Sequence, residues 1–370
     1  MNLLTGSRTR VWGGFALAAL VLFALAPALL SDFRLNLLAK FLCFALVAVG
    51  IGLAWGRGGM LTLGQGVFFG IGAYAMAMHL KVADAELKGQ AVPDFMAIAG
   101  KTELPGYWQP FASPYVAIAT VLLLPAAVAF LLGLGVFKRR VKGAYFAILS
   151  QALAAAFAIL LIGQQSMGGS NGLNRFRTFF GFNLNDPANK RMLFFLAAGA
   201  LLAAVALIRQ LMYSRYGELL VAVRDQEERV RFLGYDPANI KLVAYVVAAF
   251  LAGIAGALFV PIVGIISPAD IGIVPSIAFL IGVAIGGRAT LLGPVLGAIG
   301  VAWAQSAFSE NWPSGWIYAQ GLMFVVVVGF FPAGVAGLIA LLRTRSRVRK
   351  VSDPAQVDAA AALEPVKVPS

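Results

Sequence analysis

The residues best suited to chemistry lie in the connection between Met212 and Ile240. It is the most charged part of the chain, and its candidate residues are Arg224, Asp225, Glu227, Glu228 and Gly234. The apolar residues between them are spaced to line one side of short helices, with the charges on the other side. Mixed charge around apolar anchors suits a specific protein interface. The pattern predicts a docking helix for a partner protein, and a merely solvated loop is the alternative.

The sequence lacks the phosphate-binding motif of ATPases. The chain has no Gly-x-x-x-x-Gly-Lys-Ser/Thr loop to hold ATP phosphates. The single histidine, His79, excludes a multi-histidine metal site, and the single cysteine, Cys43, excludes an internal disulfide. We therefore predict a protein that is not an enzyme and that binds no cofactor or metal itself.

The composition excludes a soluble protein. Of the 370 residues, 60% are hydrophobic and 12% are charged, whereas soluble domains are about half apolar and about a quarter charged. The net charge of +13 does not indicate nucleic acid, because the cations lie between long apolar runs. We predict an all-α polytopic membrane protein that contacts the lipid bilayer.

Long apolar runs must position the charged connection. A bilayer-spanning helix needs about 20 apolar residues. The first run follows Arg8 and Arg10, as a signal peptide would, but it is too long for one and is predicted to remain as a helix. The stretches nearly free of charge predict about ten spans, at residues 11–30, 35–56, 58–80, 113–137, 143–163, 192–211, 242–265, 271–287, 289–308 and 315–342.

The distribution of lysine and arginine predicts the orientation. With an inner N-terminus, most of the cations in the connections fall on the cytoplasmic side, as the positive-inside rule requires. Both termini are then cytoplasmic. We predict a transmembrane domain over residues 1–342, a cytoplasmic loop over 212–240, and a basic tail over 343–370 without a core-forming pattern.

Glycines punctuate two of the spans. Small residues let helices approach closely in lipid, and broken helices near the middle of a membrane mark transport pathways. Plain helix packing explains the glycines equally well. The residues in question are Gly64, Gly66, Gly70 and Gly72 in the third span and Gly293 and Gly297 in the ninth.

Five ordered segments resemble the signatures of the branched-chain amino-acid-type ABC permeases. They are residues 59–74, 142–148, 167–173, 224–234 and 286–298. The fourth segment is similar to the ATPase-coupling loop of that family. Glu228 and Gly234 keep the spacing of the wider importer coupling motif, although Arg229 and Val230 replace its usual alanines.

Within this family, residues 92–96 and 103–111 resemble urea permease subunits of the UrtC type, although Gly106 stands where an aromatic residue is common. The resemblance implies one half of a heterodimeric urea pathway in the bacterial inner membrane. Its implied partners are a second related permease, two cytoplasmic ATPase subunits that use ATP and Mg²⁺, and a periplasmic urea-binding protein. The alternatives are a branched-chain amino-acid permease subunit and, in a different class, a stand-alone urea or amide channel or a secondary carrier.

A urea pathway calls for polar, uncharged side chains, because urea is neutral and both donates and accepts hydrogen bonds. Side chains of this kind in the apolar spans can instead make ordinary hydrogen bonds between helices. The candidates are Thr62, Gln65, Gln151 and Gln305.

Overall fold

The computed structural model describes residues 13–141, 143–311, 315–330 and 334. Its longer helices are α1 (Gly13–Leu29), α2 (Asp32–Arg57), α3 (Gln65–Leu87), α4 (Pro114–Lys138), α5 (Ala144–Gly163), α6 (Pro187–Met212), α7 (Arg215–Phe232), α8 (Pro237–Val263), α9 (Ile273–Gly286), α10 (Gly293–Asn311) and α11 (Gly315–Phe330), and a short helix spans Asp94–Ile98. The basic tail at 343–370 and most of the last predicted span beyond 330 lie outside the described residues.

Seven of the described helices are long and apolar enough to cross a membrane: α2, α3, α4, α5, α6, α8, and α9 with the turn before it. Helix α1 is a shorter apolar helix, and α10 and α11 occupy the positions of two further predicted spans. The prediction of an all-α polytopic membrane protein is confirmed. About ten spans were predicted. In the described part of the chain, seven helices are both long enough and apolar enough to cross a membrane.

The third span does not begin where it was predicted. Residues 58–64 are not helical, and α3 runs from Gln65 to Leu87 instead of over 58–80. Gly59 has a φ of +68°, which favours glycine, and the Leu63 N–H donates to Ser150 Oγ at 3.0 Å. Hydropathy cannot locate this break because the non-helical residues are as apolar as a helix.

The ninth span also begins later than predicted. Helix α10 starts at Gly293 rather than near residue 289. The Gly293 N–H donates to Thr290 Oγ1 at 3.0 Å, so Thr290 acts as the cap that fixes this start.

Helices α6 and α8 begin with the same four residues, Asp-Pro-Ala-Asn. In each helix the aspartate accepts a hydrogen bond of 3.0 Å from the alanine N–H, from Ala188 to Asp186 and from Ala238 to Asp236. Proline at the first helical position loses no hydrogen bond there. These caps extend both helices beyond the predicted starts at 192 and 242.

Helices α3 and α8 pack at the centre of the bundle with their backbones close together. A β-carbon on Gly72 would lie 2.0 Å from the Gly253 carbonyl oxygen, and one on Gly256 would lie 1.9 Å from the Phe69 carbonyl oxygen. Since neither backbone can yield, only glycine allows this approach. The rings of Phe69 and Phe259 pack edge to face beside it, with centroids 5.2 Å apart.

Four short strands in the connections before α6 and before α9 form two antiparallel pairs. Strand β1 (Leu173–Asn174) pairs antiparallel with β4 (Ile265–Ile266), and β2 (Thr178–Phe179) pairs with β3 (Phe182–Asn183). Asp84 of α3 holds the second pair, because it accepts hydrogen bonds from the Arg177 N–H, the Thr178 N–H and the Thr178 hydroxyl at 2.8–3.1 Å.

Candidate functional site

The predicted coupling residues lie on or beside helix α7, which is kinked at Gln226 (φ −149°, ψ 77°). Its apolar face packs against the membrane domain, with Leu220, Val223 and Val230 at most 4% exposed. Phe232, at its end, is 89% exposed. Helix α7 is therefore attached along one face and presents its C-terminal end to solution.

Arg224 connects α7 to the non-helical segment 58–64. Its Nη1 donates to the Gly56 carbonyl oxygen at 2.9 Å, and its aliphatic stem lies so close to Gly59 that a β-carbon there would be 2.6 Å from Arg224 Cγ. Its Nε donates to Asp225 Oδ1 at 2.8 Å, and this hydrogen bond lowers the pKa of Asp225 below its ordinary value. Arg224 therefore contacts both the end of α2 and the start of segment 58–64.

The two adjacent glutamates of α7, Glu227 and Glu228, differ in their surroundings. Glu227 contacts Lys241 Nζ at 2.7 Å and Arg231 at 3.2 Å, and its side chain is only 15% exposed. Because Lys241 belongs to α8, Glu227 joins the two helices. Glu228 contacts Arg231 at 2.9 Å, and its side chain is 62% exposed. Glu227 therefore holds α7 in place, while Glu228 faces solution.

Tyr216 and Gly234 fix the two ends of α7. The Tyr216 hydroxyl donates to the Ile240 carbonyl oxygen at 2.8 Å, and burial raises the pKa of this phenol. Gly234 has a φ of +87°, and its N–H donates to the Arg231 carbonyl oxygen at 3.0 Å. This left-handed residue ends the helix, as glycine commonly does.

A cavity of about 550 Å³ lies between α7 and segment 58–64. It brings together three of the five predicted coupling residues, Arg224, Glu227 and Glu228. Asp225 adjoins it through its hydrogen bond with Arg224, and Gly234 lies beyond the end of the helix. Met60 and Leu61 line the same cavity, so it extends from the charged helix to the apolar segment.

The four predicted pathway residues are not all in one place. Thr62 and Gln65 are each 1% exposed, at the start of α3. Gln151 is half-buried on α5. Gln305 is exposed on α10 and lines a second cavity, of about 150 Å³, together with Lys40 and Asp270.

Thr62 and Gln65 have no hydrogen-bond partner among the described residues. This is true of the threonine hydroxyl and of both amide atoms of the glutamine. The alternative interpretation, an ordinary hydrogen bond between helices, therefore does not account for these two residues.

The predicted glycines all stand at close contacts. A β-carbon on any of the six would lie less than 3.0 Å from a neighbouring atom. For Gly64 that atom is the Ser150 carbonyl oxygen at 2.2 Å, and for Gly297 it is the Gly282 carbonyl oxygen at 2.0 Å. Gly64 lies just before α3 rather than within a span, at the end of the break. The glycines thus allow both close packing and one interrupted helix.

Sequence reasoning missed two serines whose hydroxyls bond the backbone at the end of the break and at the start of α3. Ser150 Oγ accepts from the Leu63 N–H at 3.0 Å, and Ser276 Oγ accepts from the Gly66 N–H at 3.1 Å. Each hydroxyl also donates to a carbonyl of its own chain segment, Ala147 or Gly272. No sequence signal separates them from serines that bond only to their own helix.

Comparison with known proteins identifies the family. Residues 33–331 match the family described as the permease component of the branched-chain amino acid transport system. The chain belongs to this permease family. Two similar relatives, from Escherichia coli (strain K12) and Salmonella typhimurium (strain LT2), are both named high-affinity branched-chain amino acid transport system permease protein LivM. Each is 26% identical, over 85% of this chain and 72% of the relative. No solved structure matches the chain.

Family membership confirms an ABC permease of the branched-chain amino acid type and a multi-pass protein of the inner membrane. The similar relatives are named for branched-chain amino acids, so the UrtC-type urea assignment stays a prediction.

Proposed function

We propose that this chain is one membrane-spanning subunit of an ATP-driven importer, in which other subunits hydrolyse ATP. The observation that carries the proposal is helix α7. It is tied to the membrane domain through Arg224 and Glu227, while Glu228 and Phe232 face solution. An exposed helix end that combines charge with a large apolar side chain suits a specific protein surface. Membership of the permease family supports an ATPase as the occupant.

The coupling mechanism follows from those attachments. Two ATPase subunits, which bind ATP and Mg²⁺, would press on α7 when they close. Arg224 would pass the movement to Gly56 and the adjoining segment 58–64, and Glu227 would pass it to Lys241 at the start of α8. A second, related permease would complete the pathway, and an extracytoplasmic binding protein would deliver the solute.

Branched-chain amino acids are the first candidate substrate, because both similar relatives are named for their transport. Family and relatives agree on this class, and no other class is named by them.

Urea is the second candidate, and the observation that favours it is the outer stretch that resembles urea permeases. This stretch is folded: Met96 and Trp108 are at most 1% exposed, and the Phe95 and Trp108 rings are 6.0 Å apart. It therefore forms a built element on the side where a binding protein would dock, which gives the resemblance a structural counterpart.

Reconstitution tests the proposal. The chain is purified with its co-expressed partners, placed in liposomes with ATP on the side of α7, and supplied with radiolabelled leucine or urea and the binding protein. An ATPase subunit should co-purify, and uptake should require ATP. Preference for leucine supports the first candidate, and preference for urea supports the second. Uptake of either solute by the chain alone without ATP would contradict the proposal and indicate a channel or carrier.

A further inference from the structure

Two helices of the bundle begin inside the packed protein. The chain reaches α3 through the non-helical residues 58–64 and reaches α9 through residues 264–272, which form β4 and a 3₁₀ turn. Ile271 and Ser276, at the start of α9, are at most 1% exposed, as is Gln65 at the start of α3. In a membrane, irregular backbone is tolerated only where protein buries it or where it lines a cavity.

The N-termini of these two helices meet. The Gly66 N–H in the first turn of α3 donates to Ser276 Oγ in the first turn of α9 at 3.1 Å. The backbones are so close that a β-carbon on Gly66 would lie 2.3 Å from the Ile271 carbonyl oxygen. Each helix N-terminus carries about half a positive charge and free N–H groups. Two such ends together favour an electron-rich oxygen.

Unpaired polar groups lie at the same place. The Thr62 hydroxyl and both amide atoms of Gln65 are buried without a hydrogen-bond partner in the described part of the chain. Buried polar atoms are paired in the great majority of cases, because leaving them unpaired costs free energy. A group that is kept unpaired at a convergence of helix ends requires an explanation other than packing.

Along the chain, Thr62 and Gln65 lie between residues that line the two cavities. Met60 and Leu61, which precede Thr62, line the cavity beside α7. Phe69, one helical turn after Gln65, lines the second cavity with Asp270. Thr62 and Gln65 line neither cavity and are each 1% exposed, so the chain is closely packed between these two sets of lining residues.

We propose that Thr62 and Gln65, with the N-termini of α3 and α9, form a solute-binding site on the pathway. The site binds a carbonyl or carboxylate oxygen through the Thr62 hydroxyl and the Gln65 amide N–H, while Gln65 Oε1 accepts an N–H of the same solute. Urea and amino acids both present this pair of groups, and the two candidate substrates are tested separately. The inference rests on the proposed function and specifies where in the pathway the solute is held.

The test uses the complete complex in liposomes, with leucine and urea in separate assays. Gln65→Leu and Thr62→Val remove the polar atoms while keeping similar volume. For the transported solute, uptake at low concentration should fall at least about tenfold in Gln65→Leu, because the solute loses two hydrogen bonds. The thermal midpoint of the purified complex should stay equal or rise, since buried unpaired groups have been removed.

Ser306→Ala is the matched control. Ser306 lies in α10 and donates to the Ala302 carbonyl of its own helix at 3.1 Å, so its loss should leave uptake unchanged. Wild-type uptake in both Gln65→Leu and Thr62→Val would overturn the inference while the proposed function stands. A lower thermal midpoint together with lost uptake in both variants would show a structural role and would also overturn it. A wild-type complex that transports neither solute would contradict the proposed function itself.

Discussion

Helix α7 and the meeting point of α3 and α9 both hold polar side chains, but in opposite states. On α7 the side chains are charged and paired, as Glu228 is with Arg231, and many face water. At the meeting point Thr62 and Gln65 are uncharged, buried and without partners among the described residues. Exposed ion pairs contribute little to stability, whereas buried unpaired groups reduce it. The surface pairs therefore serve position and recognition, and the buried groups are retained at a cost in stability.

The largest expected effect is on transport, from a charge reversal on α7. Glu228→Lys places a cation beside Arg231 at the end that we assign to the ATPase. ATP-driven uptake should fall at least about tenfold, because like charges at an interface cost several kcal/mol. Expression and assembly with the second permease should be retained. Glu218→Lys, at an exposed position in the first turn of the same helix, is the control. Unchanged uptake in Glu228→Lys would remove the coupling role from α7.

The next effect is on stability and separates the two glutamates. Glu227→Gln leaves Lys241, whose side chain is 13% exposed, without its charged partner. The free energy of unfolding should fall by about 2 kcal/mol, since an unpaired buried charge is costly. Glu228→Gln, at a 62% exposed side chain, should cost no more than about 0.5 kcal/mol. Denaturant unfolding of the purified chain in detergent measures both, and equal losses would contradict the assigned difference.

A smaller effect should distinguish paired from unpaired hydroxyls in the buried cluster. Ser276→Ala removes the acceptor of the Gly66 N–H, so the free energy of unfolding should fall by about 1 kcal/mol. Thr62→Val removes a hydroxyl without a partner in the described structure, and stability should not fall. The same unfolding experiment compares them. A loss in Thr62→Val as large as that in Ser276→Ala would show that Thr62 is paired in the folded protein.

The smallest effect is a pH dependence at the cap of α8. The hydrogen bond from Lys138 lowers the pKa of Asp236, so the stabilisation is present at neutral pH and is lost as pH falls through the lowered pKa. Lys138→Met should reduce stability at pH 7 by about 0.5 kcal/mol or less, because both side chains are substantially exposed. Well below the lowered pKa of Asp236, where its carboxyl group is protonated, the variant and wild type should have equal thermal midpoints. If the thermal midpoints still differ at that low pH, the loss of stability in Lys138→Met comes from packing of the lysine stem and not from its interaction with Asp236.

Hydropathy and charge predicted the fold class and most of the helices, because a membrane span is a property of composition over about 20 residues. They did not predict where α3 begins. Residues 58–64 are apolar, so only their glycines, Gly58, Gly59 and Gly64, indicated a break. The starts of α6 and α8 were predicted late because the polar Asp-Pro-Ala-Asn caps lie outside the apolar runs.

The charged residues of the candidate site could be predicted from the sequence, but their arrangement in space could not. The apolar spacing around Arg224 predicted a helix in the 212–240 connection, but that spacing did not indicate the kink at Gln226. Thr62 and Gln65 could be selected as polar residues in a span. Their lack of partners depends on the tertiary packing around them, and the nearby hydrogen bond from Gly66 to Ser276 joins residues more than 200 positions apart in sequence.

Segment 58–64 has a mechanical consequence, because both of its ends are pinned. Gly59 lies against the Arg224 stem at one end, and the Leu63 N–H is bonded to Ser150 at the other. A movement of α7 would therefore reach Gln65 through this short non-helical segment rather than through a whole helix. The same segment would transmit the ATP-driven movement and control the passage of solute. A mutation within it should therefore uncouple ATP hydrolysis from uptake and also alter solute passage.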